Sequence, residues 1–286
     1  MAKRDTASQA PIEDDVDVGS APSIDSDGVP SACLSFVLRS DWGHFRRIDR
    51  TVTKQTYRIP PRTTVAGLLA AIAGVRRDGY YDIFAPESSA VAITPVSPIR
   101  TVTQPTLGLG THPGETMDSR GGSGKKTIKV KYPDSTDNRQ IHSYELLVEP
   151  AYRVDVAVED DRFYSVLKHR LETGTSFYPP SMGLSEFLAW TEPIDGEEER
   201  FEFHPEPVET GESVRVDSAV PDGIDEIVPQ AGVTYDVERL PGYMEAHDGG
   251  RRTTGFIDYA FASESLQIRP QAVSPVEVNG HVVAFE

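Results

Sequence analysis

Cysteine is nearly absent, and the single Cys33 excludes both an internal disulfide and a zinc site built from several cysteines. The sequence also lacks any run of about eighteen apolar residues, the length that a membrane-spanning helix requires. Its first thirty residues are acidic and lack the basic-then-apolar pattern of a secretory signal. We therefore expect a cytoplasmic protein with no membrane partner. No motif indicates a cofactor, and no cluster of His, Asp and Glu has the spacing of metal ligands.

Lysine is scarce, because only 7 of the 28 basic residues are lysines while 45 residues are acidic. The formal net charge of -17 would ordinarily argue against a nucleic-acid partner, since an acidic surface repels a polyanion. An acidic, lysine-poor composition is also typical of proteins that work in molar salt, where charge repulsion is screened over about 3 Å. The net charge therefore indicates a halophilic habitat and does not exclude RNA.

The positive charges are unevenly distributed along the chain. Residues 39–131 carry 15 basic and 7 acidic groups, whereas residues 132–286 carry 11 basic and 31 acidic groups. Four of the seven lysines lie between Arg120 and Lys131. Such clustering in an otherwise acidic chain indicates an anionic partner for residues 39–131.

The hydrophobic pattern predicts an α+β fold. Residues 1–30 are rich in Asp, Ser, Pro and Ala without a hydrophobic period, so we predict a disordered acidic tail. The apolar run "ACLSFVLRS" predicts a buried strand. The segment "IPPRTTVAGLLAAIAG" predicts a helix with Thr63 as its N-cap and Gly74 at its end.

Strand and helix patterns over residues 31–194 follow the order strand, helix, strand, strand, helix, strand. This order is typical of a ferredoxin-like (RRM-like) domain, which many RNA-binding proteins use. A long glycine-rich, basic excursion between two of the strands predicts a protruding β-hairpin thumb at residues 104–140. Short strand patterns over residues 195–286 predict a small, mostly-β C-terminal subdomain.

One segment of the basic region combines arginines with aromatic residues. Guanidinium groups bind phosphates and aromatic faces stack on unpaired bases, so this mixture favours single-stranded RNA. The alternative is a charged loop whose tryptophan lies in the core. The candidate RNA-binding residues of the domain body are Arg39, Trp42, Phe45, Arg46, Arg47 and Arg58.

Catalysis is a separate possibility for the histidines. His44 and His142 are an acid and a base of the kind that RNA cleavage needs, but no sequence spacing fixes their geometry. We expect a protein that is not an enzyme.

Three segments resemble the Cas-five family of CRISPR-associated proteins over about residues 33–194: "CLSFVLRSDWGHFRR", "YRIPPRTTVAGLLAAIAG" and "SFYPPSMGLSEFLAW". With the halophilic composition, the chain is similar to the type I-B Cascade version found in haloarchaea. The resemblance implies a ferredoxin-like domain whose thumb holds the 5′ handle of the CRISPR RNA in antiviral defence. It implies two protein partners, a filament of Cas-seven subunits that the chain caps and the Cascade large subunit. The thumb contacts would be Arg120, Lys125, Lys126, Lys129 and Lys131.

A type I-C branch of that family cleaves the precursor RNA with a Tyr, Lys and His set. The hairpin region of this chain has no adjacent Lys-His pair, and the pair Lys168 and His169 lies on the predicted second helix. The resemblance therefore implies a binding subunit without catalysis. Two alternatives stay open: a metal-independent endoribonuclease that processes precursor CRISPR RNA, and a free-standing RNA-binding module.

Overall fold

A computed structural model describes residues 16–47, 53–109, 139–194, 200–209, 211–247, 250–262 and 264–286. Within these ranges the protein is mostly β, with two α-helices and one short 3-10 helix (Ile224–Glu226). The other elements are β1 (Cys33–Ser40), β2 (Trp42–Gly43), β3 (Phe45–Arg46), β4 (Thr53–Lys54), β5 (Thr56–Tyr57), α1 (Arg62–Ala73), β6 (Ser89–Pro95), β7 (Thr101–Leu109), β8 (Arg139–Val148), β9 (Ala151–Val158), α2 (Asp161–Glu172), β10 (Ala189–Glu192), β11 (Glu202–Phe203), β12 (Glu206–Pro207), β13 (Val214–Val216), β14 (Val220–Pro221), β15 (Tyr235–His247), β16 (Gly250–Ala262), β17 (Leu266–Ile268), β18 (Val276–Val278) and β19 (His281–Val283). The fold is therefore α+β, as the sequence predicts.

The central sheet has the strand order β10-β1-β9-β6, and all of its pairs are antiparallel. Helix α1 lies in the connection from β1 to β6, and α2 connects β9 to β10. In chain order these strands are β1, β6, β9 and β10. The last strand, β10, thus lies beside the first, β1, and β1 also lies beside the third, β9. β11 extends the pairing at the beginning of β1.

Both faces of the central sheet are covered around β1. Leu34 and Phe36 pack into a large core with residues of the two helices, while Cys33 faces a second cluster that includes Val278 and Val283. Arg153 on β9, which is 1% exposed, donates a hydrogen bond to the carbonyl of Val278 over 2.7 Å. RRM domains stack bases on an open sheet face. Here the segments around β18 and β19 cover that face, so the RRM comparison does not extend to the binding surface.

Helix α1 begins two residues earlier than predicted. Pro61 occupies the N-cap without a side-chain cap, and its carbonyl accepts hydrogen bonds from the backbone N–H groups of Thr64 and Val65. Thr63 therefore lies inside the first turn, and its prediction as N-cap is wrong. Gly74 ends the helix in the left-handed conformation, with φ 85°, as predicted.

The predicted acidic tail is only partly described. Residues 16–30 do not extend freely, because the backbone N–H of Ala21 donates to Asp161 Oδ1 over 2.7 Å and that of Ile24 donates to Glu159 Oε1 over 3.2 Å. Val16 also packs against the large core. For residues 16–30 the prediction of a disordered tail is wrong, because two acidic side chains around the start of α2 accept hydrogen bonds from the backbone of this segment. Residues 1–15 lie outside the described residues.

Strands β7 and β8, whose ends flank the predicted thumb, form an antiparallel pair. Their register runs from Thr101 opposite Leu147 to Leu109 opposite Arg139. Most of the predicted thumb, residues 110–138, lies outside the described residues.

The C-terminal residues are rich in strands, and some of them form a small hydrophobic cluster of their own, which includes Val216 and Ile268. Leu240 and Ile257, from the long β15–β16 hairpin, belong to the same hydrophobic cluster as Leu69 of α1. The hairpin therefore packs directly on the N-terminal domain. Neither of the two α-helices is long and apolar enough to cross a membrane.

A buried ion pair joins the C-terminal segment to α1. Arg62 is 1% exposed, and its Nε lies 2.6 Å from Oε2 of Glu286. The same guanidinium donates to the carbonyl of Phe84 over 2.8 Å and to the hydroxyl of Ser89 over 2.8 Å. Tyr243 of β15 completes the network, because its ring lies 4.6 Å from the guanidinium carbon and its hydroxyl bonds to Glu286.

Replacing Arg62→Met is expected to lower the free energy of unfolding by about 3 to 5 kcal/mol, because it leaves a buried carboxylate without its cation. The matched control is Arg100→Met, which breaks the exposed pair with Glu149 and should cost less than about 1 kcal/mol. Urea unfolding monitored by tryptophan fluorescence measures both. Equal losses for the two variants would contradict the role assigned to this pair.

Candidate nucleic-acid interface

A cleft of about 490 Å³, here called the central cleft, opens between α1 and the β15–β16 hairpin. Its lining comes from the β2–β5 region, the first turns of α1, the loop before β10 and the hairpin. The lining residues are His44, Phe45, Arg46, Tyr57, Pro61, Thr63, Thr64, Gly67, Leu68, Ala71, Tyr80, Pro179, Ser181, Gly183, Leu184, Pro241, Met244, Arg251 and Thr253.

The central cleft is positively charged. Arg46 and Arg251 are both exposed at its walls, and no Asp or Glu is among its lining residues in the described part of the chain. In a protein of net charge -17, this local excess of cations is the opposite of the overall surface. A guanidinium presents several N–H donors in a plane, which suits phosphate oxygens. The cleft is therefore chemically suited to an anionic ligand.

Arg251 was not a candidate from sequence, because it lies in the segment predicted as a separate subdomain. It stands near the tip of the β15–β16 hairpin and lines the cleft together with Tyr80. Burial raises the pKa of Tyr80, so its hydroxyl stays neutral. The signal available in the sequence was the pair Arg251 and Arg252 beside Gly250, which suits a basic turn.

The loop with the sequence "SMGLSEF" is held tightly against the strand β2–β3 connection. His44 donates its backbone N–H to the carbonyl of Met182 over 3.0 Å, and Met182 donates to Phe187 over 2.7 Å. Gly183 has φ 92°, and a Cβ at this position would lie 2.1 Å from the carbonyl oxygen of His44. Only glycine fits here, which explains how the loop comes so close to the cleft wall.

His44 is buried beneath this wall. It is 1% exposed, and its Nδ1 lies 2.8 Å from the carbonyl oxygen of Glu145. Because a carbonyl only accepts, Nδ1 carries the proton and donates. Burial lowers the pKa of His44 below 6.5, so the ring is neutral near neutral pH. An acid or base in RNA cleavage has to reach the reacting atoms, and this side chain does not contact solvent.

The two predicted stacking residues differ in exposure. Phe45 is 2% exposed and its ring packs in the core, 6.1 Å from that of Tyr152. The structure therefore disagrees with a stacking role for Phe45, since its neighbours already cover the ring. Trp42 on β2 is 39% exposed, so its ring is accessible.

Arg39 lies apart from the cleft lining, on the end of β1 next to β10. Its Nε is 2.7 Å from Oε2 of Glu192, whose Oε1 accepts from Trp190 over 2.9 Å. These hydrogen bonds, from Trp190 first and then from Arg39, hold the pKa of Glu192 below its ordinary value. Trp190 is 43% exposed and was not predicted as a site residue.

Arg47 and Arg58 bind acidic residues of β15. Arg58 lies 2.8 Å from Oδ1 of Asp236, while Arg47 lies 4.0 Å from Oε1 of Glu238 and 5.5 Å from the centre of the Tyr57 ring. Burial raises the pKa of Glu238. Both arginines therefore help to hold the hairpin against the domain, a role that sequence reasoning did not predict.

The five basic residues predicted on the thumb lie outside the described residues: Arg120, Lys125, Lys126, Lys129 and Lys131. Within the described ranges, no group of three or more His, Cys, Asp or Glu side chains could hold a metal ion.

Gly183→Ala should destabilise the protein more than Gly174→Ala, although both glycines have positive φ. At Gly174, with φ 62° and nothing within 4 Å, only the left-handed backbone is penalised, by about 1 to 2 kcal/mol. At Gly183 the clash with His44 adds roughly 1 to 3 kcal/mol. Chemical unfolding of both variants measures the difference. Equal losses would show that the loop moves freely from the wall.

The family model described as CRISPR-associated protein (Cas_Cas5) matches residues 33–254. The match thus extends beyond the segments that carry the resemblance, into the β15–β16 hairpin. The comparison with curated proteins gives no match.

Several solved structures are similar in part. A chain of a "CRISPR RNA-guided surveillance complex" is 14% identical, with a TM-score of 0.47 over 82% of this chain and 90% of that one. A chain of a type III-B Cmr-beta complex, bound to cognate target RNA and AMPPnP, is 12% identical, with a TM-score of 0.42 over 82% and 86%. A structure described as a CRISPR-associated protein is 13% identical, with a TM-score of 0.35 over 84% and 94%. Because the family model covers most of the sequence, the chain belongs to the CRISPR-associated Cas_Cas5 family.

Proposed function

We propose that this chain is a non-catalytic subunit of a type I-B CRISPR Cascade complex, in which it binds the 5′ handle of the CRISPR RNA. In this proposal it caps the Cas-seven filament and contacts the large subunit. Membership of the CRISPR-associated family supports a role in a CRISPR effector complex. The observation that carries the RNA-binding role is the central cleft, with Arg46 and Arg251 at its walls and no carboxylate among its described lining residues.

The topology of the central sheet supports a ferredoxin-like domain. Four strands and two helices follow the expected chain order, and the last strand pairs beside the first. Since the C-terminal strands cover the sheet face around Cys33, the handle would lie on the other side of α1, in the central cleft.

The thumb completes the proposed site. β7 and β8 lead away from the domain body, and the sequence between them contains five of the predicted handle contacts. The exposed ring of Trp42, whose strand β2 pairs with the end of β8, would stack on a base near the thumb's root. Stacking depends little on salt. For phosphate contacts, the logarithm of the affinity falls with the logarithm of the salt concentration, with a slope of about -0.7 for each phosphate. Such stacking suits a protein of halophilic composition.

Arg46→Ala should weaken binding of the repeat's 5′-handle RNA by roughly ten- to a hundredfold, because a hydrogen bond to a charged group contributes about 1.5 to 3 kcal/mol. The matched control is Arg215→Ala, which removes an exposed arginine of β13 outside the cleft lining. Fluorescence anisotropy with labelled handle RNA measures both affinities. The proposal fails if the wild-type chain does not bind the RNA, or if both variants bind it as the wild type does.

The alternative function is metal-independent cleavage of precursor CRISPR RNA. Two observations argue against cleavage: His44 is buried, and the sequence of the predicted thumb, residues 104–140, has no adjacent Lys-His pair. We expect repeat RNA to stay intact when it is incubated with the purified protein, both in chelator and in magnesium. A specific cut that disappears in the variant His44→Ala or His142→Ala would establish the endoribonuclease instead.

A further inference from the structure

A second cavity, here called the α1 groove, continues from the central cleft along the outer face of α1. Its volume is about 720 Å³. Four residues line both spaces, so the groove and the cleft share a wall: Gly67, Ala71, Tyr80 and Arg251. The other lining residues of the groove are Ala70, Val75, Arg76, Arg77 and Tyr178.

The floor of the groove is made of small side chains. Gly67 and Ala71, which are partly exposed, add few projecting atoms to this face of α1, and Ala70 beside them is buried. Gly67 also leaves room for Tyr80, whose hydroxyl would lie 3.1 Å from a Cβ at that position. The shape of the groove thus depends on small residues of α1. In the sequence, these residues indicate only that the helix packs closely.

The walls are cationic and aromatic. Arg76, Arg77 and Arg251 are all exposed, and no Asp or Glu is among the groove's lining residues in the described chain. The nearest acid in sequence, Asp78, lies 3.8 Å from Nε of Arg77, whose side chain is 76% exposed, so this pair is weak and leaves the guanidinium available. Tyr178 is 44% exposed and offers an accessible ring.

We infer that the α1 groove binds a further length of single-stranded RNA, continuous with the RNA in the central cleft. This inference rests on the proposed function and extends it. Three guanidiniums among the lining residues suit phosphates of an RNA backbone, and Tyr178 suits an unpaired base. A volume of this size is that of a small-ligand site, which suits nucleotides of a single strand. Arg251, on the shared wall, would contact the backbone where it passes from one space to the other.

The test compares the whole wild-type chain with the double variant Arg76→Gln and Arg77→Gln. Both side chains are exposed, so folding should be unaffected. The matched control is Arg215→Gln with Arg269→Gln, which changes the net charge equally at two exposed positions outside the groove lining. The probes are 3′-labelled oligouridylates of roughly 4 to 16 nucleotides, the range of known single-strand site sizes.

Wild-type affinity should rise with length until both spaces are filled. The groove variant should bind the shortest RNA like the wild type but gain no affinity from the added nucleotides. For the longest RNA, its slope of log affinity against log salt should be smaller in magnitude by about 1.4, corresponding to two lost phosphate contacts. Tyr178→Ala should weaken only the longer RNAs, by roughly tenfold.

Equal binding of every length by the wild type and the groove variant would overturn this inference and leave the central cleft intact. An equal loss of affinity at all RNA lengths would also overturn this inference, because the two arginines would then attract RNA in general without contacting the added nucleotides. If oligoglutamate displaces the longest RNA and depends on the same arginines but not on Tyr178, the groove binds acidic peptide instead. If the wild type binds no oligouridylate and no handle RNA, the proposed function fails and this inference fails with it.

Discussion

The buried ion pair between Arg62 and Glu286 connects the parts of the structure that form the candidate site. Arg62 starts α1 and bonds to residues before and within β6, while Glu286 follows the last strand. Through Tyr243 the same network reaches the β15–β16 hairpin. The central cleft lies between α1 and that hairpin, so its width depends on how this network fixes one against the other. A buried guanidinium that lacks any one of these acceptors would be costly, which makes the arrangement specific.

Charge is organised in two ways around the cleft. Arginines that face acidic residues of β15, such as Arg47 and Arg58, hold the hairpin in place. Arginines whose heads remain exposed, such as Arg46 and Arg251, face the cavity. The same residue type therefore has a structural or a potential binding role according to whether a carboxylate lies within reach. This local separation lets a strongly acidic protein present a cationic surface.

Much of the N-terminal architecture was accessible from the sequence. The apolar run of β1, the spacing of α1 and its end at Gly74, and α2 itself follow from local patterns that burial enforces. The start of α1 was misplaced because a proline can occupy the N-cap without any side-chain cap. Residues 16–30 were misread because their order comes from hydrogen bonds to α2 and not from their own hydrophobicity. The C-terminal strands were found, but their shared core with α1 was not.

The sequence by itself determined that a basic, arginine-rich and aromatic segment lies inside an acidic chain, because composition and local periodicity carry that information. Only the tertiary structure decided which of those side chains are accessible. Phe45 and Trp42 are three residues apart, yet one is in the core and the other is exposed. Arg251, more than two hundred residues from Arg46 in sequence, lines the same cleft. The physical reason is that burial and charge pairing depend on long-range contacts, which no window of sequence contains.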